Sequence, residues 1–105
     1  MGDILGSKTQ TSADTYTTIL KLGEISANIH TITFSLKEQN VNAVKYKILA
    51  SNDDSTYETL QAETVIAKNG SDWQTISEPW RYIDVKIQTS VSPNHGSVKI
   101  VAAGN

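Results

Sequence analysis

The sequence predicts an all-β chain, an antiparallel two-sheet β-sandwich or jelly roll of about seven to eight short strands. Three observations predict it. Apolar and polar residues alternate in several short runs, the period of a strand with one buried face. Turn residues recur about every eight to twelve positions. Ser and Thr are plentiful, Leu is scarce, and Met and Phe occur once each; together with Val, Ile and Tyr this composition favours strands over helices. A small closed barrel is the alternative with the same pattern.

Taken in order, residues 1–14 are polar and aperiodic, with Gly2, Gly6 and the run SKTQTSAD. They are expected as a flexible N-terminal arm outside the sandwich domain of residues 15–105. Such an arm is either frayed or reaches a neighbouring subunit, with Ile4 and Leu5 as its apolar anchor. Thr15 to Leu22 reads as the first strand, with Tyr16, Thr18, Leu20 and Leu22 on one side. Gly23-Glu24 breaks it. Ile25 to Leu36 carries the next element, best defined at Ile32, Phe34 and Leu36, which alternate with Thr31, Thr33 and Ser35. His30 lies in this stretch, and Asn28 marks a bulge or short turn before the clear alternation.

Ala43 to Leu60 reads as strand, turn, strand. Val44, Tyr46, Ile48 and Ala50 fall on one side, Lys45 and Lys47 on the other. The polar residues Ser51 to Ser55 can bond their own backbone and hold a turn. After a strand through Thr64, Val65 and Ile66 comes Lys68-Asn69-Gly70-Ser71, whose Asn-Gly pair readily takes positive φ at both central positions of a hairpin. Residues 72–77 are expected to pair back across it. Glu78-Pro79 ends that strand, because proline lacks the donor that a ladder needs. Ile83, Val85 and Ile87 then face inward, with Tyr82 and Asp84 outward or at the rim. A loop over 90–96 leads to a last strand with Val98, Ile100 and Ala102 inward and Lys99 outward.

Composition narrows the chemistry. One domain is expected from 105 residues. The absence of cysteine excludes disulfides, zinc–thiolate sites and thiol catalysis. The formal net charge is −2, and the nine Lys and Arg are dispersed, so no basic stripe for nucleic acid is present. No apolar run approaches a membrane span. The start of the chain lacks the pattern of a secretory signal and matches myristoylation poorly. Nothing in the composition asks for a cofactor.

Around the hairpin, VKYKILASNDDSTYETL resembles the strand, Ser-Asn-Asp turn, aromatic and Leu of discoidin-like (F5/8 type C) jelly rolls. PWRYIDVKI is similar to the aromatic-Arg-Tyr-hydrophobic strand near the end of those domains. The resemblance covers residues 41–103 and implies a carbohydrate-binding module. The whole chain also resembles, in style, small virion accessory proteins of tailed bacteriophages such as capsid decoration proteins. That likeness implies a structural protein of the virion, made in the host cytoplasm. Its partners would be a capsid or tail lattice and further copies of itself, with no nucleic acid and no membrane.

Candidate chemistry is sparse. Asn52, Asp53 and Asp54 offer oxygens that suit a calcium ion, but the spacing is no EF-hand and an Asx-stabilised turn is expected. His30 and His95 lack a partnered nucleophile, and no triad is expected. Glu58, Glu63, Glu78 and Asp84 are not expected to form a hydrolytic pair. The chain is therefore expected not to be an enzyme. Trp73, Trp80, Arg81 and Tyr82 are the residue types that dominate binding hot spots. Trp73 and Trp80 either plug the core or meet a partner. Tyr57 is placed near them, and His95 is expected at a loop tip. Lys45, Lys47, Lys86 and Lys99 would discourage random edge pairing.

Overall fold

The computed structural model describes residues 3–12, 15–38, 43–89 and 97–105. They form β1 (Asp3–Thr11), β2 (Thr17–Leu22), β3 (Ile32–Glu38), β4 (Val44–Ser51), β5 (Glu58–Ile66), β6 (Ser71–Ile76), β7 (Tyr82–Thr89) and β8 (Ser97–Gly104). The strands lie in two four-stranded sheets, A with order β1-β8-β3-β6 and B with order β2-β7-β4-β5. All pairings are antiparallel. Around the β4–β5 hairpin, β3 pairs with β6, β2 with β7 and β1 with β8. The chain is thus one long hairpin folded over on itself, which is the jelly-roll form of the sandwich.

The central strands show why the sequence folds this way. Val44, Tyr46, Ile48 and Ala50 of β4 and Ile83, Val85 and Ile87 of β7 are fully buried. They meet Ile32, Phe34 and Leu36 of β3 and Val98, Ile100 and Ala102 of β8 in one core. Each large aliphatic side chain there contributes roughly 1.5–3 kcal/mol by leaving water.

Four expectations need correction. Asp3–Thr11, the described part of the expected arm, does not leave the domain. Asp3 to Thr11 pairs with β8 as the edge strand of sheet A. A bulge between Ile4 and Gly6, with only one neighbouring strand, hides its periodicity. Leu5 packs against the core, whereas Ile4 is 73 % exposed. In β2, Ile19 and Leu22 are buried, not one alternating set. A register shift between Thr18 and Leu20 inserts the residue that changes the parity.

The Asn-Gly turn is not a hairpin. β5 belongs to sheet B and β6 to sheet A, where it pairs with β3. The turn therefore crosses between layers. Asn69 alone takes positive φ, at 58°. Gly70 is needed for closeness instead: its N–H donates to Ala67 O at 2.8 Å, and a Cβ there would lie 2.9 Å from that oxygen. The turn docks on β3 through fully buried Glu38. Glu38 Oε1 accepts from Asn69 N–H at 2.8 Å, and Glu38 N–H donates to Gly70 O at 2.9 Å. Finally, residues 23–31 are a connection and not a strand. Ile29 N–H donates to Ser26 O at 3.0 Å, closing the turn foreseen at Asn28.

Candidate interaction surface

The outer faces of the two sheets differ in how they handle charge. On sheet B, Lys47 of β4 lies directly opposite Lys86 of β7, a repulsive cross-strand pair. Neighbours relieve it. Lys86 Nζ is 3.4 Å from Asp84 Oδ2 and 3.3 Å from Thr18 Oγ1. Lys47 Nζ stands 4.2 Å from the Tyr16 ring centroid, a cation–π contact. The Tyr16 hydroxyl donates to Glu63 Oε2 at 2.5 Å, and Glu63 also meets Lys45 at 3.7 Å. Burial, and then Glu63, push the Tyr16 phenol up. The Tyr16 hydroxyl and then Lys45 hold Glu63 below the usual carboxylate range.

On sheet A the corresponding pair is Lys37 of β3 and Lys99 of β8. Among the described residues, Lys37 Nζ reaches Asn69 O, at 3.5 Å. No carboxylate lies within ion-pair distance of either ammonium among the described residues. The row beside it runs Ser7, Val101, Ser35, Trp73 across all four strands. The next runs Ala103, Thr33, Thr75, with the two threonine hydroxyls 3.2 Å apart. Trp73 points outward because its β6 neighbours Asp72 and Gln74 point inward, where both bond the Tyr46 hydroxyl. The indole is 66 % exposed and rises beside small side chains. A shallow depression of about 470 Å³ lies there, lined in part by Ser35, Lys37, Trp73 and Lys99.

Tyr57, Trp80, Arg81 and Tyr82 gather at one end of the sandwich, in two places. In the β4–β5 turn, Asp53 Oδ1 accepts from Ser55 N–H and Thr56 N–H, each at 2.8 Å, and lies 2.8 Å from Ser51 Oγ. The Thr56 amide, then Ser55 and Ser51, hold its carboxyl below the ordinary range. Asp54, at φ 60°, pairs with Lys21 at 2.7 Å and accepts from the Tyr57 hydroxyl. Lys21 and then Tyr57 hold it low as well. Asn52 Oδ1 accepts from Arg81 N–H at 3.3 Å. Of these three oxygen-bearing side chains Asp53 makes the Asx turn, while Asn52 serves Arg81 and Asp54 serves Lys21 and Tyr57.

Trp80 and Arg81 line a groove of about 500 Å³ between the β2–β3 and β6–β7 connections, together with His30 and Pro79. Trp80 packs partly against the core, so the two tryptophans have separate roles. Tyr82 is half-buried, with its ring beside Gly23. His30 lies in the β2–β3 connection and not in a strand. The missing alternation from Gly23 to Thr31 is the signal that could have placed it in a connection. His95 lies outside the described residues. Glu63 and Asp84 are engaged with lysines on sheet B.

No protein-family model and no curated protein matches the chain. In fold it is similar to PirA, with a TM-score of 0.67 at 10 % identity over 94 % of this chain and 93 % of that one. It is similar to the PBSX exported protein XepA, with a TM-score of 0.72 at 12 % identity over all of this chain and 37 % of XepA. It is also similar to the Bacillus endospore appendages described as disulfide-linked pili, with a TM-score of 0.59 at 14 % identity over all of this chain and 87 % of that one. At these identities the likeness establishes the fold, a jelly-roll β-sandwich. With no cysteine, this chain cannot make the disulfide link of those pili.

Proposed function

We propose that the chain is a non-enzymatic structural and interaction protein, an accessory component of a bacteriophage virion that attaches to a capsid or tail lattice. The observation that carries this reading is the outer face of sheet A. A tryptophan two-thirds exposed stands beside two facing lysines without a counter-charge, while sheet B neutralises its own lysines. An exposed indole on a flat, small-residue surface fits a recess in a partner, and the lysines fit an acidic rim around it. The jelly roll is a fold of viral capsid and lectin domains, and the endospore pili are an assembly built on a similar fold. Copies of the chain join through free strand edges, of which β5 carries the exposed Val65. Attachment stabilises the assembled shell by mass action.

The test is co-sedimentation of the purified chain with shells assembled from the major capsid or tail protein encoded beside its gene. Saturable binding that Trp73→Ala removes supports the reading. A chain that ignores every particle and binds a neutral glycan would replace it with the carbohydrate-binding module that the hairpin resembles.

A further inference from the structure

We propose, independently of the docking face, that the groove at the end of the sandwich binds a small ring-bearing carboxylate. Its volume of about 500 Å³ lies within the range of small-molecule sites, roughly 300–1,000 Å³. The groove is held open by its own backbone. Ile25 N–H donates to Arg81 O at 2.9 Å, which ties one wall to the other. Asn52 fixes Arg81 from the opposite side through its N–H. Its apolar lining comes from both sides, Ile25 and Ile29 from the β2–β3 connection and Pro79 and Trp80 from the β6–β7 connection. The indole is anchored on the core, and its buried Nε1 has no acceptor. The ring therefore offers a ligand its face and not a hydrogen bond.

Among the described residues, the ionisable side chains of the lining are those of Arg81 and His30, and no carboxylate side chain lines the groove; the main-chain oxygen of Asn105 is bound beside it, accepting from His30 N–H at 3.0 Å. Glu24 and Glu78 adjoin lining residues in the chain without lining it themselves. The Arg81 guanidinium makes no ion pair among the described residues. Its planar fork matches a carboxylate in a bidentate pair. A dianionic phosphate would leave one guanidinium facing two charges beside an apolar wall. A single carboxylate on a ring with an apolar face answers both parts of the lining at once, with the ring on Trp80 and the charge on Arg81. Two sources share that chemistry, an acidic sugar and an aromatic acid.

Fluorescence titration tests it. In a Trp73→Phe background Trp80 is the sole indole, since the chain has two tryptophans. The probes are glucuronate and benzoate, with glucose and benzyl alcohol as neutral counterparts. The carboxylates are expected to bind about tenfold more tightly than the neutral probes, the scale of one charge-assisted pair. Arg81→Gln is expected to remove that preference. Arg81→Lys keeps the charge without the fork, retains part of the preference, and serves if the first variant does not fold. Either order of glucuronate and benzoate supports the site and names the ligand's source. Equal binding of charged and neutral probes, a preference untouched at Arg81, or no saturable signal would overturn it. None of those results bears on whether Trp73 docks on a particle.

Discussion

The Tyr46 hydroxyl of β4 donates to Asp72 Oδ2 of β6 at 2.5 Å and so ties sheet B to sheet A across the open side of the sandwich. Gln74 Nε2 in turn donates to the Tyr46 hydroxyl oxygen at 3.0 Å. An edge strand with inward-pointing polar side chains is poorly suited to pairing with a stranger. One buried phenol makes that arrangement tolerable. Tyr46→Phe would leave Asp72 and Gln74 without their partner, at a cost of about 1–3 kcal/mol. Urea denaturation of the two proteins measures it, and equal midpoints would refute the tie.

The same phenol sets an alkaline limit. Burial, and then the bond to Asp72, push its pKa up to about 12 from 10.0. A group whose folded pKa is raised contributes stability that is complete below the unfolded value and is lost as pH rises through the folded one. The advantage of the wild type over Tyr46→Phe is therefore expected to be constant below pH 10 and to shrink between pH 10 and 12. Denaturation midpoints of both proteins across that range provide the check.

The acid side rests on the β4–β5 turn. Asp53 and Asp54 have lowered pKa values, so their contribution is present above the ordinary carboxylate range and is lost as pH falls through their folded values. Asp53→Ala is expected to speed hydrogen exchange at the Ser55 and Thr56 amides. The same two amides should lose protection in the wild type on acidification. Exchange unchanged in both experiments would mean that the turn holds without its carboxylate.

Removing residues 1–12 separates an integral strand from an arm. The deletion strips β8 of its outer neighbour and leaves a bare edge. The melting temperature should fall by at least about 10 °C, or the product should aggregate. A dispensable arm would leave the melting temperature where it was.

How much of this was legible beforehand follows from where each residue sits. Val44 to Ala50 and Ile83 to Ile87 belong to central strands, whose one face is core and whose other is solvent. Their alternation is therefore nearly complete in the sequence. β1 has a neighbour on one side only and a bulge after Ile4, so little of it alternates. In β2 one inserted residue at the bulge puts Ile19 inside, which a parity count assigns to the surface. The Asn69-Gly70 pair announces a turn but says nothing of which layer the next strand joins. That is decided by β3, through Glu38 and the ladder to β6. The site was legible as residue types alone. Trp73 and Trp80 look alike in sequence, yet the inward Asp72 and Gln74 turn one outward while the other packs partly against the core. The bare Lys37–Lys99 pair depends on strand order, which no local pattern encodes.

That pair makes a further prediction. Lys99→Glu turns a repulsive cross-strand contact into an attractive one, so the isolated chain should gain roughly 0.2–1 kcal/mol. The same change should weaken attachment to an acidic partner surface. Destabilisation of the free chain, or unchanged attachment, would show that the lysines are not held in reserve for a partner.

The most direct measurement is binding of Trp73→Ala to the assembled particle, read beside its melting curve. An outward side chain on an edge strand should leave stability within about 0.5 kcal/mol of the wild type. Binding should fall by at least about thirtyfold, the scale of a hot-spot truncation of 2 kcal/mol. Full binding by a well-folded Trp73→Ala would contradict sheet A as the docking face.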